Sequence, residues 1–257
     1  MKKLAVSVAL ALSCSGLALA EQPKQIRIGV DATYEPFASK SADGKLVGFD
    51  IDMANALCAQ MKAKCVFVEQ DWKGIIPALN AKKYDAIISS MSITDERKKA
   101  VDFTDKYYHT PSRLIAKAGS VKGTPDSLNG KRIGVLKAST QEKYAQKYYA
   151  PAGAIVVPYD NTQQVYLDLN AGRLDGTVAD SVEGSTGFLK KPEGKGFAFI
   201  GPVLADQTIF GYGAGIALRK GDDALRNGFN GAIKAIRANG TYKKVNDKYF
   251  NFDAYGA

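Results

Sequence analysis

Arg27-Ile28-Gly29-Val30 returns as Arg132-Ile133-Gly134-Val135, and Leu79-Asn80-Ala81 followed by Asp85 returns as Leu169-Asn170-Ala171 followed by Asp175. The two landmarks keep their order, at offsets of 105 and 90 residues, so the first copy carries an insertion between them. Each copy reads strand, helix, strand, and then helix, tight turn, strand. Recurrence in the same order and the same context marks a duplicated supersecondary unit. It predicts two similar α/β lobes.

The segments around the landmarks fit. Short β-rich runs at 26–30, 65–68, 86–90, 132–136, 155–158 and 177–180 alternate with stretches of helical spacing. Ile51, Ala54, Leu57 and Met61 share one helix face, with Asp50 and Asp52 in the first turn, where acids suit the helix dipole. Ser139 with Glu142 forms a capping box that opens a helix through Lys147, and two more helices are expected over 225–240 and 242–250. Such alternation argues for an α/β protein with mainly parallel sheets.

In open α/β sheets ligands bind beyond the carboxyl ends of the strands. Two facing lobes put those ends on either side of one cleft. The candidates are then Asp31, the run Ser89-Ser90-Met91-Ser92, Leu136 through Ser139, Thr140 and Gln141, and Asp180. By the repeat, Ser90 and Asp180 occupy equivalent positions.

The three serines, followed by Thr94-Asp95-Glu96-Arg97, offer hydroxyls and free N–H groups to a carboxylate, and Arg97 can close a bidentate pair with it. The same run also reads as a Ser-rich turn with an N-cap. Ser139-Thr140-Gln141 repeats the logic in the second lobe, and also reads as an ordinary cap. Asp180 offers a carboxylate to a cation. Arg97 for a carboxylate and Asp180 for an ammonium, across one cleft, together describe an α-amino acid. Asp31 flanked by the faces of Tyr34 and Trp72 suits a long cationic side chain, pairing its charge while the rings cover its methylenes.

Composition narrows the field. Of 257 residues 46% are apolar, which excludes a disordered chain, and a single histidine argues against a zinc enzyme or a His-based triad. Residues 1–20 read as a cleaved signal peptide: Lys2 and Lys3, an apolar run from Leu4 to Leu12, then Ala18-Leu19-Ala20. Cys14 lacks the leucine that a lipoprotein signal places three residues upstream. Loss of this segment lowers the net charge from +9 to +7, spread over scattered lysine pairs without a basic stripe, so no nucleic-acid partner is expected. Cys58 and Cys65 survive processing and, in an oxidising compartment, read as a disulfide worth roughly 2.5 kcal/mol in chain entropy. Gly211, Gly213 and Gly215 lack the helix N-terminus of a nucleotide fingerprint and are better read as hinge glycines. His109 beside that hinge reads as structural.

Four stretches carry a closer likeness: Ile28-Gly29-Val30-Asp31-Ala32-Thr33-Tyr34-Glu35-Pro36-Phe37, Gly48-Phe49-Asp50-Ile51-Asp52, Asp85 through Thr94, and Val135-Leu136 through Ser139-Thr140-Gln141. With them the chain resembles the periplasmic amino-acid-binding proteins of ABC transporters (bacterial solute-binding protein family 3), and more narrowly the lysine/arginine/ornithine-binding and histidine-binding subgroup. The likeness runs through Tyr249-Phe250 and includes both cysteines. It implies a type II periplasmic binding protein fold. Lobe 1 would comprise 21–110 plus 213–257, lobe 2 would comprise 111–212, and the two hinge segments would fall near 108–112 and 211–215. It also implies roles. Arg97 would grip the ligand carboxylate with Ser92 and the backbone at Thr140, while Ser90 and Asp180 hold the α-ammonium. Asp31 would meet the side-chain cation between Tyr34 and Trp72, and Ser89, Leu136, Ser139 and Gln141 would complete the wall. Trp72 departs from the family's phenylalanine or leucine, and Lys137-Ala138 from its Gln-Gly. Ranking among arginine, ornithine, lysine and histidine stays open.

The expectation is therefore a periplasmic, monomeric binding protein for a basic amino acid, delivering it to an inner-membrane ABC permease. No catalytic residue, metal or cofactor is expected. The rival is a cyclohexadienyl or arogenate dehydratase-like enzyme on the same scaffold, with Asp180 or Glu183 as its acid. A receptor's ligand-sensing domain would come fused to membrane segments, which are not expected here.

Overall fold

Ile26, Ile28 and Val30 are all fully buried, because the strand they sit on is covered by helices and paired on both edges. The computed structural model describes residues 25–256, so the predicted signal peptide at 1–20 lies outside the described residues. The strands are β1 (Gln25–Val30), β2 (Ser39–Lys40), β3 (Leu46–Val47), β4 (Lys64–Glu69), β5 (Ala86–Ile87) and β6 (Asp102–Tyr108). They continue as β7 (Ser112–Lys117), β8 (Arg132–Leu136), β9 (Ile155–Tyr159), β10 (Gly176–Asp180), β11 (Phe197–Leu204) and β12 (Ala214–Leu218). One sheet has the order β4-β1-β5-β12-β6 and the other β9-β8-β10-β7-β11, with β2 and β3 pairing as a small hairpin. Position by position the two orders match, so the duplication predicted from the landmarks is a duplication of the sheet.

The landmark residues recur because they make the same joint twice. In the first lobe the Arg27 N–H donates to the Asp85 carboxylate at 3.0 Å and the Asp85 N–H returns a bond to the Arg27 carbonyl at 2.9 Å. In the second, Arg132 and Asp175 make the same exchange, both bonds at 2.8 Å. The glycines follow from this. A Cβ on Gly29 would lie 2.4 Å from the Tyr84 ring, and one on Gly134 would lie 2.4 Å from Leu174, the residues just before the two aspartates.

The sheets are mainly parallel in strand direction, with one reversed strand in each. β1, β4 and β5 run parallel, as do β8, β9 and β10; β12 runs against β5 and β6 against β12, and in the second sheet β7 runs against β10 and β11 against β7. These four strands escaped the sequence because β12, Ala-Gly-Ile-Ala-Leu, is buried throughout and shows no alternation, while β6 carries charge. β5 stops at Ile87, short of the expected Ser90, whose φ of 53° lies outside the strand region.

Helix Phe49–Gln60 packs on helices Asp223–Ala238 and Thr241–Tyr249. In the second of these three, Phe229, Ala232, Ile233 and Ile236 are the buried residues, the spacing of one helix face. Cys58 on the first helix is bonded to Cys65 on β4, with Cα atoms 5.8 Å apart, so the disulfide ties a helix end to the next strand as expected. The chain passes between the sheets twice, from β6 to β7 through 109–111 and from β11 to β12 through 205–213. Gly211 is required there, since a Cβ on it would sit 2.0 Å from the Ile93 carbonyl at a φ of 73°. Gly215 lies inside β12 rather than in the crossing, leaving room for the Ile93 side chain.

Candidate functional site

A cavity of about 340 Å³ lies between the two sheets, and Asp31, Tyr34, Trp72, Ser89, Ser90, Ser92, Arg97, Leu136, Ser139, Thr140, Gln141 and Asp180 all line it. These twelve residues, singled out in the sequence as binding candidates, thus meet at one place. Among the described residues no group of His, Cys, Asp or Glu could hold a metal ion, and no helix is long and apolar enough to cross a membrane.

Among the described residues, Arg97 is the only arginine or lysine on the cavity wall. Its Nη1 donates to the Ser92 carbonyl at 3.1 Å and its guanidinium lies over the Trp72 ring, 5.1 Å from the centroid. No carboxylate among the described residues is within ion-pair distance of it, and burial lowers its pKa to about 10. A half-buried cation whose acidic neighbour, Glu96, is engaged by Lys143 is a seat for an anionic group.

Two buried carboxyls, Asp180 and Asp31, line the same cavity. Asp180 caps the helix Ser181–Gly184, accepting from the Val182 and Glu183 N–H groups at 2.8 and 3.1 Å, and it also accepts from the Thr110 hydroxyl. Burial still raises its pKa to about 6. Asp31 accepts from the Thr33 N–H and hydroxyl through one oxygen and from the Trp72 N–H at 2.9 Å through the other. Burial raises this carboxyl too, against those bonds. Behind the wall, burial pushes Asp50 to about 7 and Glu183 to about 8.

Several serine hydroxyls serve the scaffold. Ser89 Oγ accepts from the Asp31 N–H at 3.0 Å, Ser139 Oγ accepts from the Glu142 N–H at 3.0 Å, and Ser90 Oγ donates to Asp50 at 2.8 Å. Glu142 returns a bond to the Ala138 N–H at 2.6 Å, closing the predicted capping box around a neighbouring residue. Gln141 reaches the Ser112 hydroxyl at 3.0 Å.

The lobes are closed over the cavity. The Trp72 indole N–H donates to the Ala138 carbonyl at 3.3 Å, and the Thr162 hydroxyl donates to the Thr33 carbonyl at 2.8 Å. Lys191 pairs with Glu35 at 2.7 Å, and Lys143 pairs with Glu96.

The sequence missed the part of the wall supplied by the two crossings: Tyr108, Thr110, Ser112, Asp206, Gln207 and Phe210. The hinge assignment was itself the available signal, since segments that join the lobes must border the cleft. His109 lines the cavity as well, held by its backbone N–H on the Ala254 carbonyl at 2.8 Å. Burial and Lys106 lower its pKa, which keeps it neutral.

The buried acids set a pH dependence. Asp50, Asp180 and Glu183 hold protons more tightly folded than unfolded, where carboxyls titrate near about 4. The folded state therefore binds more protons between about pH 4 and 8, and stability falls as pH rises through that window. His109, with its lowered pKa, acts in the opposite sense, one group against these three and Asp31, which burial also raises. The ligand-free protein is expected to melt several degrees higher at pH 5 than at pH 8. A melting temperature that instead climbs across that interval would assign the pH dependence to other groups.

The family model described as bacterial extracellular solute-binding proteins, family 3, matches residues 26–252. The L-arginine-binding protein of Pseudomonas aeruginosa is 54% identical, and the alignment covers 100% of both chains. The lysine/arginine/ornithine-binding periplasmic protein of Escherichia coli K12 is 50% identical, again over 100% of both chains. Among solved structures, a Salmonella typhimurium periplasmic binding protein described for its high arginine specificity aligns with a TM-score of 0.82 at 33% identity. That alignment covers 89% of this chain and 100% of the other.

Proposed function

The chain belongs to the family 3 bacterial extracellular solute-binding proteins, and from that premise we propose that it captures a basic L-amino acid, arginine foremost, for delivery to an ABC permease. It is a binding protein and not an enzyme, as its named relatives are. The observation that carries the ligand class is the charge imbalance of the cavity. Arg97, with no ion pair of its own, shares the cavity with the buried carboxyls Asp180 and Asp31, while Asp206 on the same wall is already paired with Lys147. A zwitterion satisfies Arg97 and Asp180 and leaves Asp31 unmatched, whereas an amino acid with a cationic side chain satisfies all three.

Arginine is favoured within that class by Trp72. A guanidinium is planar and weakly hydrated and stacks on aromatic faces better than an ammonium. Arg97 takes one face of the indole, and the other is assigned to the ligand between Trp72 and Tyr34. The same proposal takes 1–20 as a cleaved signal peptide and places the protein in the periplasm as a monomer. It divides the chain into lobes of 21–110 plus 213–257 and of 111–212.

Calorimetry of the ligand-stripped protein against the twenty amino acids tests this directly. Arginine should bind tightest, ahead of lysine by about 0.5–1 kcal/mol of cation–π energy. Ornithine should also bind. Histidine should be weakest of the basic set, since near neutral pH most of it is uncharged. An acidic or apolar amino acid at the head of the series would sink the proposal.

A further inference from the structure

Asp50 lies behind the cavity wall and has a carboxylate with no cation to answer it. It is 1% exposed, in the first turn of helix Phe49–Gln60, with its N–H fixed on the Phe37 carbonyl at 2.8 Å. One oxygen accepts from the Tyr107 hydroxyl at 2.7 Å and the other from Ser90 Oγ at 2.8 Å. The Tyr107 oxygen in turn accepts from the Ser90 N–H at 3.1 Å. A closed ring of three bonds thus engages both donors of Ser90. Its φ of 53° is unusual for a residue with a side chain and persists only where the surroundings over-determine it. Ser90 keeps one polar group uncommitted by any donor among the described residues, its carbonyl, and Ser90 lines the cavity.

The titratable groups that feel the charge on Asp50 from the packed elements are tyrosines: Tyr107 and Tyr108 on β6, and Tyr34 on the loop after β1. Burial raises all three, so they stay neutral. No lysine, arginine or histidine among the described residues forms an ion pair with Asp50. A buried carboxylate costs least when a cation arrives beside it.

We propose that Asp50 is a positioning residue for ligand capture: it holds Ser90 in its left-handed bend, leaving the Ser90 carbonyl for the ligand's α-ammonium, and that ammonium supplies the missing countercharge. The inference rests on the amino-acid ligand proposed above. It has a protonic consequence, because in the ligand-free protein burial places Asp50 near 7, so a good fraction of it is protonated at neutral pH. An ammonium next to Ser90 favours the ionised form. Binding therefore expels a proton from Asp50, and affinity climbs as pH rises from about 6.5 to 8. Asp180, titrating near 6, contributes mainly below that range, and Glu183, near 8 and bonded by Tyr166 rather than Ser90, contributes toward its upper end and is retained in an Asp50 variant.

Calorimetry of arginine binding to the ligand-stripped full chain, in phosphate and in Tris, counts the protons released. The parent protein should release protons on binding between about pH 6.5 and 7.5. Asp50→Asn should bind arginine about tenfold more weakly or worse at pH 8 and lose that release. Its melting temperature should not fall by more than a few degrees, because the removed charge had no partner. Tyr107→Phe, which breaks the ring but keeps the charge, should weaken binding while preserving the proton release. Binding by the parent without proton release in this range overturns the inference, and so does an Asp50→Asn variant with unchanged affinity and pH profile. If the parent binds no basic amino acid, the failure lies with the ligand assignment; if it binds arginine but Asp50 proves silent, only the positioning role is lost.

Discussion

Replacing Arg97 with alanine is expected to weaken every amino-acid ligand by about 2–5 kcal/mol, the usual cost of truncating one partner of a desolvated charge pair. The loss should be common to all ligands because the α-carboxylate is common to all. Stability should move the other way. The guanidinium is half-buried with one carbonyl bond, one stacking contact on Trp72 and no ion pair. Before ligand arrives it is a burden on the fold. The ligand-free variant should therefore melt at or slightly above the parent's temperature, while added arginine, which raises the parent's melting temperature by mass action, should scarcely move the variant. A loss confined to one amino acid, or a variant that melts far lower when ligand-free, would remove Arg97 from the carboxylate seat.

Asp31→Asn should act through selectivity. Arginine and lysine are expected to lose a few kcal/mol relative to glutamine, whose neutral side chain never needed the charge. Absolute affinities are less informative here, for a reason visible in the geometry. Both Asp31 oxygens accept N–H bonds, from Thr33 on one side and Trp72 on the other. An asparagine presents an oxygen to only one of these, and the other donor faces an NH₂ group at a cost of about 1–3 kcal/mol. Part of any affinity loss is then a displaced Trp72. The ratio of arginine to glutamine affinity cancels this shared disturbance. An unchanged ratio would place Asp31 outside the side-chain pocket.

The parts legible in the sequence were those written in local chemistry. Duplication showed in Arg27 and Asp85 against Arg132 and Asp175, because each pair must meet across a strand and a turn. Ser139 and Glu142 announced a cap because both side chains bond backbone within four residues. The resemblance to family 3 supplied the expected roles of the wall residues. Other features needed the third dimension. β12 pairs with β5, far away in sequence, so nothing near Ala214 distinguishes its buried strand from a buried helix turn. Asp50 was read correctly as a first-turn acid, yet its link to Ser90 spans 40 residues and no spacing rule reaches that far. Nothing in the sequence marks Asp206, on which Lys147, Tyr148 and Thr208 converge, and the wall from Val203 to Gly213 stayed hidden with it.

The contacts that bridge the lobes have a kinetic meaning. Glu35–Lys191 and Glu96–Lys143 lie at the rim with their side chains substantially exposed, whereas Arg97, Asp180 and Asp31 act from inside. Exposed pairs are screened by salt and buried ones much less. Ionic strength should then change how long a ligand is retained without changing which ligand is chosen. Residence time and discrimination reside on separate residues, so a lineage can adjust one by substituting a rim lysine while the other stays fixed.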